Sequence, residues 1–463
     1  MKRLLALAAT ALLAFSGCSS GSSQSPTAVS SPGSAAPSSA AAASSGAPIT
    51  LTFWWWAEPD APGADKWFDE TAAAYHQLHP NITVQRDTQS TDTLVSAFSA
   101  AAAAKSGPDL ASQWAGSFVL TQAWAGAIAP ISDLVPKAEL DHWLNLYENQ
   151  WDGKDWAASL YVIGSPMEYN KDLFTKAGLD PQNPPTTWPA FLAACDALSA
   201  KGITPLGFGN KEGSGGLYLS AALRLQTMNS LSDYANAALG QTSFLDPTQT
   251  TWLNRLQDLG THNCFPPDVS SLSLDEGRAN FDSGAAAMTW GTDGNVKASS
   301  DKLGAASVGV MKMPVYGTSK LADVFNATQS TSFFVTSWSK HPQEAADFLV
   351  FMHTPDRLTA WYKETGVVPA DDRFDVSAIS NPALAQLQKW ESTGPQIWLL
   401  NFMPTQVYSD GDKAATSLIM SKGGTVDAAA QLIDRAATAW RTQHPDDATR
   451  YGDWIKGLTL PGM

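Results

Sequence analysis

The sequence predicts an α/β protein with a mostly parallel sheet, and three observations support this fold class. The 463 residues are enough for two or three domains with a sizeable core. Hydrophobic residues make up 44% of the chain and aromatic residues 10%, which excludes a protein that is disordered throughout. Short segments rich in β-formers alternate with amphipathic helical segments, as in sheets whose parallel strands are joined by helices.

The first elements follow one another from residue 49. Ile49–Trp56 alternates and is rich in β-formers, so it predicts the first strand. Apolar residues then recur at helical spacing from Phe68 to Leu78, and a helix is expected to end before Pro80. Ile82–Gln85 predicts a second strand, the alanine-rich residues 93–105 a helix, and residues 109–110 the start of a third strand.

The same alternation continues to the C-terminus. The later predicted elements are a helix at Pro189–Ala200, a strand at Ile203–Phe208, a helix at Thr251–Leu259, a strand at Phe333–Thr336, a helix at His341–His353 and a last helix from Thr425 to Trp440. Thr425 is a favourable N-cap for this last helix.

The N-terminus predicts export. Two basic residues precede an apolar run, Leu4–Phe15, that has the length of a signal peptide rather than of a membrane span. The following Ser-Gly-Cys18 resembles a bacterial lipobox, although Phe15 stands where leucine is usual. We therefore expect residues 1–17 to be removed, Cys18 to be lipidated, and the Ser/Ala/Pro/Gly-rich residues 18–48 to form a flexible tether. Secretion with cleavage elsewhere is the alternative.

Charge and motifs exclude several functions. The net charge of -15 argues against broad binding to nucleic acid or to an anionic membrane surface. Phosphate-loop, nucleophile-elbow, zinc-protease and C-x-x-C motifs are absent from the sequence. We therefore expect no catalytic residue, no cofactor and no metal.

Two cysteines remain after Cys18. Cys195 lies on an apolar helical stripe with Trp188 and Leu198, which predicts burial. An exported compartment permits a disulfide with Cys264, but the sequence does not show whether the two residues meet.

Eight segments together resemble the family 1 extracellular solute-binding proteins of ABC importers, the carbohydrate-binding, maltose-binding-protein-like group. The resemblance extends from about Ile49 to Trp440, and it depends on the order and spacing of the segments. They are Phe53–Trp56, His79–Val84, Gly107–Leu110, Trp151–Lys154, Tyr169–Phe174, Thr187–Pro205, Phe281–Met288 and Gly366–Ala370.

The resemblance implies a two-lobed periplasmic-binding-protein-like (type II, Venus-flytrap) fold with a ligand cleft between the lobes. Lobe 1 is expected at residues 49–162 plus 328–368, and lobe 2 at residues 163–327 plus 369–463. The chain is expected to cross between the lobes near Val162–Gly164, Phe325–Thr331 and Val367–Ala370. The resemblance also implies a carbohydrate ligand and ABC permease subunits as partners. We expect a monomer that the lipid on Cys18 anchors to the outer face of the cytoplasmic membrane.

Candidate ligand-binding residues follow from the chemistry of sugars. Sugar rings pack their C–H faces on aromatic rings, while their hydroxyls need donors and acceptors, and both are expected where strands end in loops. The candidates are Trp55, Trp56, Glu58, Asp60, Gln113, Trp114, Gly116, Ser117, Tyr161, Gly164, Trp290, Asp293, Phe402, Gln406, Tyr408 and Asp410. Packing in the core is the alternative for each aromatic residue, and we assign Trp67, Trp143, Trp188, Trp252, Trp361 and Trp440 to packing.

The predicted function is therefore the capture of a di- or oligosaccharide for import. An exported glycoside hydrolase with a carboxylate pair is the rival from another class. A binder of a polyol, a glycerophosphodiester or a peptide on the same scaffold is the third possibility.

Overall fold

The computed structural model describes residues 46–91, 93–393, 396–421 and 423–460. The predicted signal peptide, Cys18 and most of the tether lie outside the described residues. Within the described ranges, no helix combines the length and the apolar character that crossing a membrane requires.

Fourteen strands lie within the described residues. They are β1 Ile49–Trp55, β2 Ile82–Thr88, β3 Leu110–Trp114, β4 Ile128–Ala129, β5 Gln150–Trp151, β6 Lys154–Asp155, β7 Ala158–Ser159, β8 Val162–Gly164, β9 Met167–Asn170, β10 Thr204–Leu206, β11 Ala286–Trp290, β12 Val308–Met311, β13 Ala327–Gln329 and β14 Thr331–Thr336.

Seventeen α-helices lie in the same part of the chain. They are α1 Ala64–Leu78, α2 Leu94–Ala104, α3 Ser117–Trp124, α4 Lys137–Leu140, α5 Lys171–Ala177, α6 Trp188–Ala200, α7 Ser214–Leu225, α8 Leu231–Ala238, α9 Pro247–Thr261, α10 Leu274–Asp282, α11 Asp293–Leu303, α12 Pro342–Met352, α13 Pro355–Thr365, α14 Pro382–Glu391, α15 Lys413–Met420, α16 Val426–Gln443 and α17 Pro445–Gly457. Every predicted helix and strand is thereby confirmed, with small shifts at the ends.

Two mixed sheets organise the fold. The first has the order β2-β1-β3-β14-β4, with β7 also paired to β14, and the second has the order β10-β11-β9-β12. In the first sheet β1 is parallel to β2 and β3, but β14 is antiparallel to β3, β4 and β7. In the second, β9 is antiparallel to both of its neighbours.

The expectation of a mostly parallel sheet is therefore wrong. The physical reason is the path of the chain. Thr331, the first residue of β14, pairs with Trp114, the last residue of β3, so the returning chain enters the first sheet at the edge where β3 leaves it.

Large aromatic side chains form the core beside the first sheet. The Phe53 ring makes edge contacts with Phe68 at 5.4 Å and with Phe333 at 5.5 Å, and the Trp55 ring stacks on Phe333 at 5.0 Å. Phe348 of α12 contacts the rings of Phe53 and Phe68, so α1 and α12 are held on the sheet through these rings. The six tryptophans assigned to packing are all buried, which confirms that assignment.

Three chain segments meet between the two sheets. Gln329 of β13 pairs with Val162 of β8, and the Val162 amide donates to the Val368 carbonyl at 3.0 Å. The Ala370 amide donates to the Leu160 carbonyl at 2.8 Å. The segments that the resemblance implies as crossovers therefore lie side by side, joined by backbone hydrogen bonds. The boundaries of the two lobes stay a prediction.

A disulfide joins Cys195 of α6 to Cys264, 69 residues later. Both cysteines are fully buried. Burial of Cys195 is confirmed, and the pairing that the sequence left open is present.

We expect the double variant Cys195→Ser/Cys264→Ser to be less stable by about 2–4 kcal/mol, because the disulfide restricts the unfolded chain. Urea unfolding of the variant and of the wild-type protein measures the difference. Reduced wild-type protein is the control and should unfold like the variant. Two free thiols in the oxidised wild-type protein would contradict the pairing.

Candidate functional site

A cavity of about 590 Å³ lies where strands of both sheets end. Trp56 follows β1, Trp114 ends β3 and Trp290 ends β11, and all three side chains line the cavity. This volume lies in the range of small-molecule sites, which are lined by aromatic side chains and a few polar groups.

The first aromatic group on the wall is the Trp114 cluster, formed by Trp56, Trp114, Phe118 and Tyr408. Trp56 and Trp114 meet edge to face at 5.9 Å, and Trp114 and Tyr408 lie 6.2 Å apart. The Trp56 indole nitrogen donates to the Thr91 hydroxyl at 2.9 Å, which fixes the orientation of the ring.

The second aromatic group is the Trp290 cluster, formed by Tyr218, Trp290 and Trp398. Tyr218 stacks on Trp290 at 4.7 Å with the planes 12° apart, and Trp398 lies 6.1 Å from both rings. The Trp290 indole nitrogen donates to Ser165.

Arg278 fixes the backbone of Trp290. Its Nη1 donates to the Trp290 carbonyl at 2.9 Å, and its Nη2 lies 2.7 Å from the fully buried Glu168 carboxylate. Since Arg278 itself lines the cavity, this ion pair lies directly behind the wall.

The Asp60 carboxyl lines the cavity, and among the described residues one hydroxyl contacts it. Ser330 donates to its side chain, and the Thr292 hydroxyl donates to its backbone carbonyl at 2.9 Å. Burial raises the pKa of Asp60 to about 7; the hydrogen bond from Ser330 opposes the rise, and the nearby Asp293 charge adds to it. A Cβ atom on Gly294 would meet the Asp60 carbonyl at 2.6 Å and Pro62 at 2.9 Å, so α11 approaches this loop very closely.

The remaining charged groups of the wall are Glu212, Asp275 and Lys413. None of the three forms an ion pair among the described residues. They are therefore free to contact a polar ligand.

Two buried carboxyls lie together at Gly164. The Gly164 amide donates to Asp293 at 2.6 Å, and a Cβ atom on Gly164 would meet the Glu391 carboxyl at 2.6 Å. Burial raises the pKa of Asp293 to about 6; burial and the Asp293 charge raise the pKa of Glu391 well above its ordinary value. Of the two carboxyls, Glu391 is therefore the one whose pKa burial and its neighbour's charge raise further.

Five of the sixteen predicted site residues line the cavity. They are Trp56, Asp60, Trp114, Trp290 and Tyr408. The structure thus brings together residues that are more than 350 positions apart in the sequence.

Four predicted residues near β1 and β3 support the wall from outside the cavity. Trp55 lies in the core and donates to Asp65 at 3.0 Å, because it points to the opposite face of β1 from its neighbours. Glu58 accepts from the Gly63 and Asp65 amides at the start of α1. The buried Gln113 donates to the Leu94 carbonyl at 3.1 Å, and Ser117 donates to the Met403 carbonyl.

Two glycine positions and one tyrosine serve close packing. A Cβ atom on Gly116, whose φ is +67°, would overlap the Asn401 carbonyl. Gly164 and Asp293 form the buried contact described above. Tyr161 is fully buried and stacks on Trp361 at 4.9 Å.

The last three predicted residues lie in the C-terminal part. Phe402 is buried and stacks on Trp454 at 5.5 Å. Gln406 contacts Gln443 at 3.4 Å, and Asp410 is exposed and accepts from Ser409.

Sequence reasoning missed Tyr218, Trp398, Phe118 and Lys413. Tyr218 and Phe118 lie within the N-terminal halves of α7 and α3, where their spacing looks like that of core residues. Trp398 precedes a short 3₁₀ turn, Leu399–Phe402, and follows no strand. The rule that ligand residues follow strand ends therefore finds part of the wall and leaves out its helical part.

Residues 70–386 match the family described as bacterial extracellular solute-binding protein. Among curated proteins, the chain is 29% identical over 211 residues to the sn-glycerol-3-phosphate-binding periplasmic protein UgpB of Pectobacterium atrosepticum. The matched region covers 44% of the chain and 45% of that protein. The UgpB of Agrobacterium fabrum is 38% identical over 102 residues, 20% of the chain and 23% of that protein. The chain thus spans less than half the length of these curated relatives.

Solved structures share the fold over most of the chain. A chitin oligosaccharide binding protein superposes with a TM-score of 0.77 at 21% identity, covering 85% of this chain and 99% of that one. The solute-binding protein RafE in complex with raffinose gives a TM-score of 0.70 at 18% identity, with 84% and 99% covered. The GacH receptor of Streptomyces glaucescens gives 0.68 at 17% identity, with 86% and 99% covered.

We expect Asp60 to make stability depend on pH. The Asp60 carboxyl stays protonated up to a pH of about 7 in the folded chain but only up to about 4 in the unfolded chain. Its contribution to the free energy of unfolding is therefore fully present below pH 4 and is lost as the pH rises to 7. The slope is at most about 1.4 kcal/mol per pH unit. Asp60→Asn should remove this pH dependence from the free energy of unfolding, measured between pH 4 and 8.

Ser330→Ala is the companion variant for this measurement. It removes a hydrogen bond that lowers the pKa of Asp60, so the loss of stability should extend to higher pH. Parallel pH profiles for the wild-type protein and Asp60→Asn would contradict the prediction.

Proposed function

Because the chain belongs to the bacterial extracellular solute-binding protein family, we propose that it captures a di- or oligosaccharide and delivers it to the permease subunits of an ABC importer. The resemblance recognised in the sequence is confirmed by this match. The two-lobed α/β fold is confirmed by its likeness to solved solute-binding proteins.

The observation that carries the proposal is the pair of aromatic clusters on one cavity. The Trp114 cluster and the Trp290 cluster provide rings at the ends of strands from both sheets. Aromatic faces suit the C–H faces of sugar rings, and two separate clusters suit a ligand with more than one ring. Asp60, Glu212, Asp275 and Lys413 supply acceptors and donors for the hydroxyls.

A glycerophosphodiester or a polyol is the second candidate ligand, since the curated relatives are named for binding sn-glycerol-3-phosphate. The charges of the wall disfavour a phosphate. The carboxyls of Glu212 and Asp275 line the cavity without an ion-pair partner among the described residues, whereas Arg278 is already paired with Glu168 and leaves Lys413 as the unpaired cation of the described lining. A neutral sugar avoids this repulsion.

We assign the protein no catalytic step. Its relatives are named as binding proteins, which supports capture without chemistry. A glycoside hydrolase remains the rival, and it would release products from an oligosaccharide.

In this proposal residues 49–162 plus 328–368 form lobe 1, and residues 163–327 plus 369–463 form lobe 2. The three hydrogen-bonded crossover segments act as the hinge, and a ligand that contacts both walls favours the closed form. The protein acts as a monomer on the outer face of the cytoplasmic membrane, held by a lipid on Cys18.

A thermal-shift screen of the purified protein tests the proposal. The library contains mono- and oligosaccharides, polyols and glycerophosphodiesters, and the incubated sugars are then checked for cleavage. A saturable shift with an intact oligosaccharide supports the receptor. Cleavage products favour the hydrolase, and a shift with a glycerophosphodiester alone favours the second candidate.

We expect Trp114→Ala to weaken binding of the sugar found in this screen by more than tenfold, because the ring is central to the Trp114 cluster. Isothermal titration calorimetry measures the affinity. Trp151→Ala is the matched control, since Trp151 packs on Trp124 outside the cavity. Unchanged affinity in Trp114→Ala would remove this residue from the site.

We expect Cys18→Ser to give soluble protein without lipid. Cell fractionation and mass spectrometry of the N-terminus check this outcome. The double variant Cys195→Ser/Cys264→Ser should stay in the membrane fraction. Retention of Cys18→Ser in that fraction would contradict the lipobox prediction.

A further inference from the structure

Residues Val407–Asp412 form a π-helical turn at the cavity. The Lys413 amide donates to the Tyr408 carbonyl, five residues earlier, and α15 continues from Lys413. π-Helical turns are rare in proteins, and those that do form are frequently part of a functional site.

The turn brings Tyr408, Ser409 and Lys413 to one wall of the cavity. In an α-helix each residue advances about 100°, so Tyr408 and Lys413 would point about 140° apart. In a π turn the hydrogen bond itself joins residues five apart, and their side chains follow one another along one face. Lys413 therefore reaches the wall that carries Tyr408 because of the turn.

Asp412, the last residue of the turn, faces away from the cavity into a buried ion pair. Its carboxylate lies 2.5 Å from Nη2 of Arg224, and the two side chains are 0% and 1% exposed. The Tyr234 hydroxyl donates to the same carboxylate at 3.3 Å, and the Arg224 guanidinium lies 4.3 Å from the centre of the Trp252 ring.

This ion pair connects two elements of the cavity wall. Arg224 is on α7, whose Tyr218 belongs to the Trp290 cluster, while Asp412 ends the turn whose Tyr408 belongs to the Trp114 cluster. Among the described residues, Nε and Nη1 of Arg224 have no hydrogen-bond partner. A buried pair with unused donors contributes little net stability, because desolvation offsets the attraction between the charges. The main contribution of the ion pair is therefore to hold α7 and the π turn in a defined relative position.

We propose that the Arg224–Asp412 ion pair is a positioning device for ligand binding, which holds residues 407–412 in the π turn and so presents Tyr408 and Lys413 together to one ring of the ligand. The Tyr408 ring packs on a sugar face, and the Lys413 ammonium donates to hydroxyl oxygens at the edge of that ring. This role of the pair rests on the proposed function.

The test replaces the ion pair by apolar side chains in Arg224→Met/Asp412→Leu. Such replacements of buried pairs are often neutral or stabilising, so the double variant should fold. In its crystal structure we expect residues 407–412 to relax towards an α-helical turn, with Lys413 away from Tyr408. An intact π turn overturns the proposal, whichever sugar the protein binds.

Binding is measured by calorimetry with chitotetraose, xylotetraose, maltotetraose and raffinose. The affinity for each sugar that the wild-type protein binds should fall at least tenfold in the double variant. Adding Tyr408→Ala should then cost little more, because the pair acts through Tyr408. Wild-type affinity in the double variant overturns the proposal.

Two further variants complete the experiment. Lys154→Met, which removes a surface ion pair with Asp133 whose two residues do not line the cavity, should leave the affinity unchanged. Asp412→Asn keeps the shape of the side chain and tests the role of the ion pair if the double variant does not fold. Weaker binding with a native melting transition supports the proposal, and unchanged binding overturns it. If the wild-type protein binds neither these four sugars nor any other sugar of the thermal-shift screen, the proposed function fails, and the crystal structure still tests the role of the pair.

Discussion

The hydrogen bonds among the three chain segments that meet between the two sheets are the constraint on which the rest of the structure depends. Backbone groups buried between two sheets must find partners. Here the Val162 amide donates to the Val368 carbonyl, the Ala370 amide donates to the Leu160 carbonyl, and β13 pairs with β8. The same segments determine where the chain enters each sheet. Because β13 lies against β8 and leads directly into β14, the latter strand starts beside Trp114, and the first sheet becomes mixed at the edge of the cavity.

Buried carboxyls lie in this region, and two of them, Asp293 and Glu148, have distinct hydrogen-bond partners. Asp293 accepts from the Gly164 amide, while Glu148 accepts from Asn401 at 2.8 Å although burial raises its pKa to about 8. Polar groups are costly to bury unless they are hydrogen-bonded, so these contacts fix the backbone on both sides of the cavity. The aromatic clusters then lie on a wall whose backbone is already held.

The sequence predicted the elements well because their patterns are local. The helical spacing from Phe68 to Leu78 and the β-formers of Ile49–Trp56 depend on near neighbours alone. The direction of β14 was beyond such reasoning, since a strand buried on both faces shows no alternation. The disulfide was likewise open, because Cys195 and Cys264 meet only through the tertiary fold. In the site, strand ends located Trp114 and Trp290, whereas Tyr218 and Lys413 depend on how helices pack and on a π turn.

The close approach at Gly294 has a consequence for how affinity can vary among relatives of this protein. A side chain at this position has no room while Thr292 remains bonded to the Asp60 carbonyl, so any substitution increases the separation between α11 and the loop after β1. In a receptor that closes on its ligand, such a change alters the equilibrium between open and closed forms, and the apparent affinity scales with the competent fraction. Under the proposed function, Gly294, which lies outside the described lining of the cavity, therefore gives mutation and selection a way to adjust the working concentration range without a change in specificity.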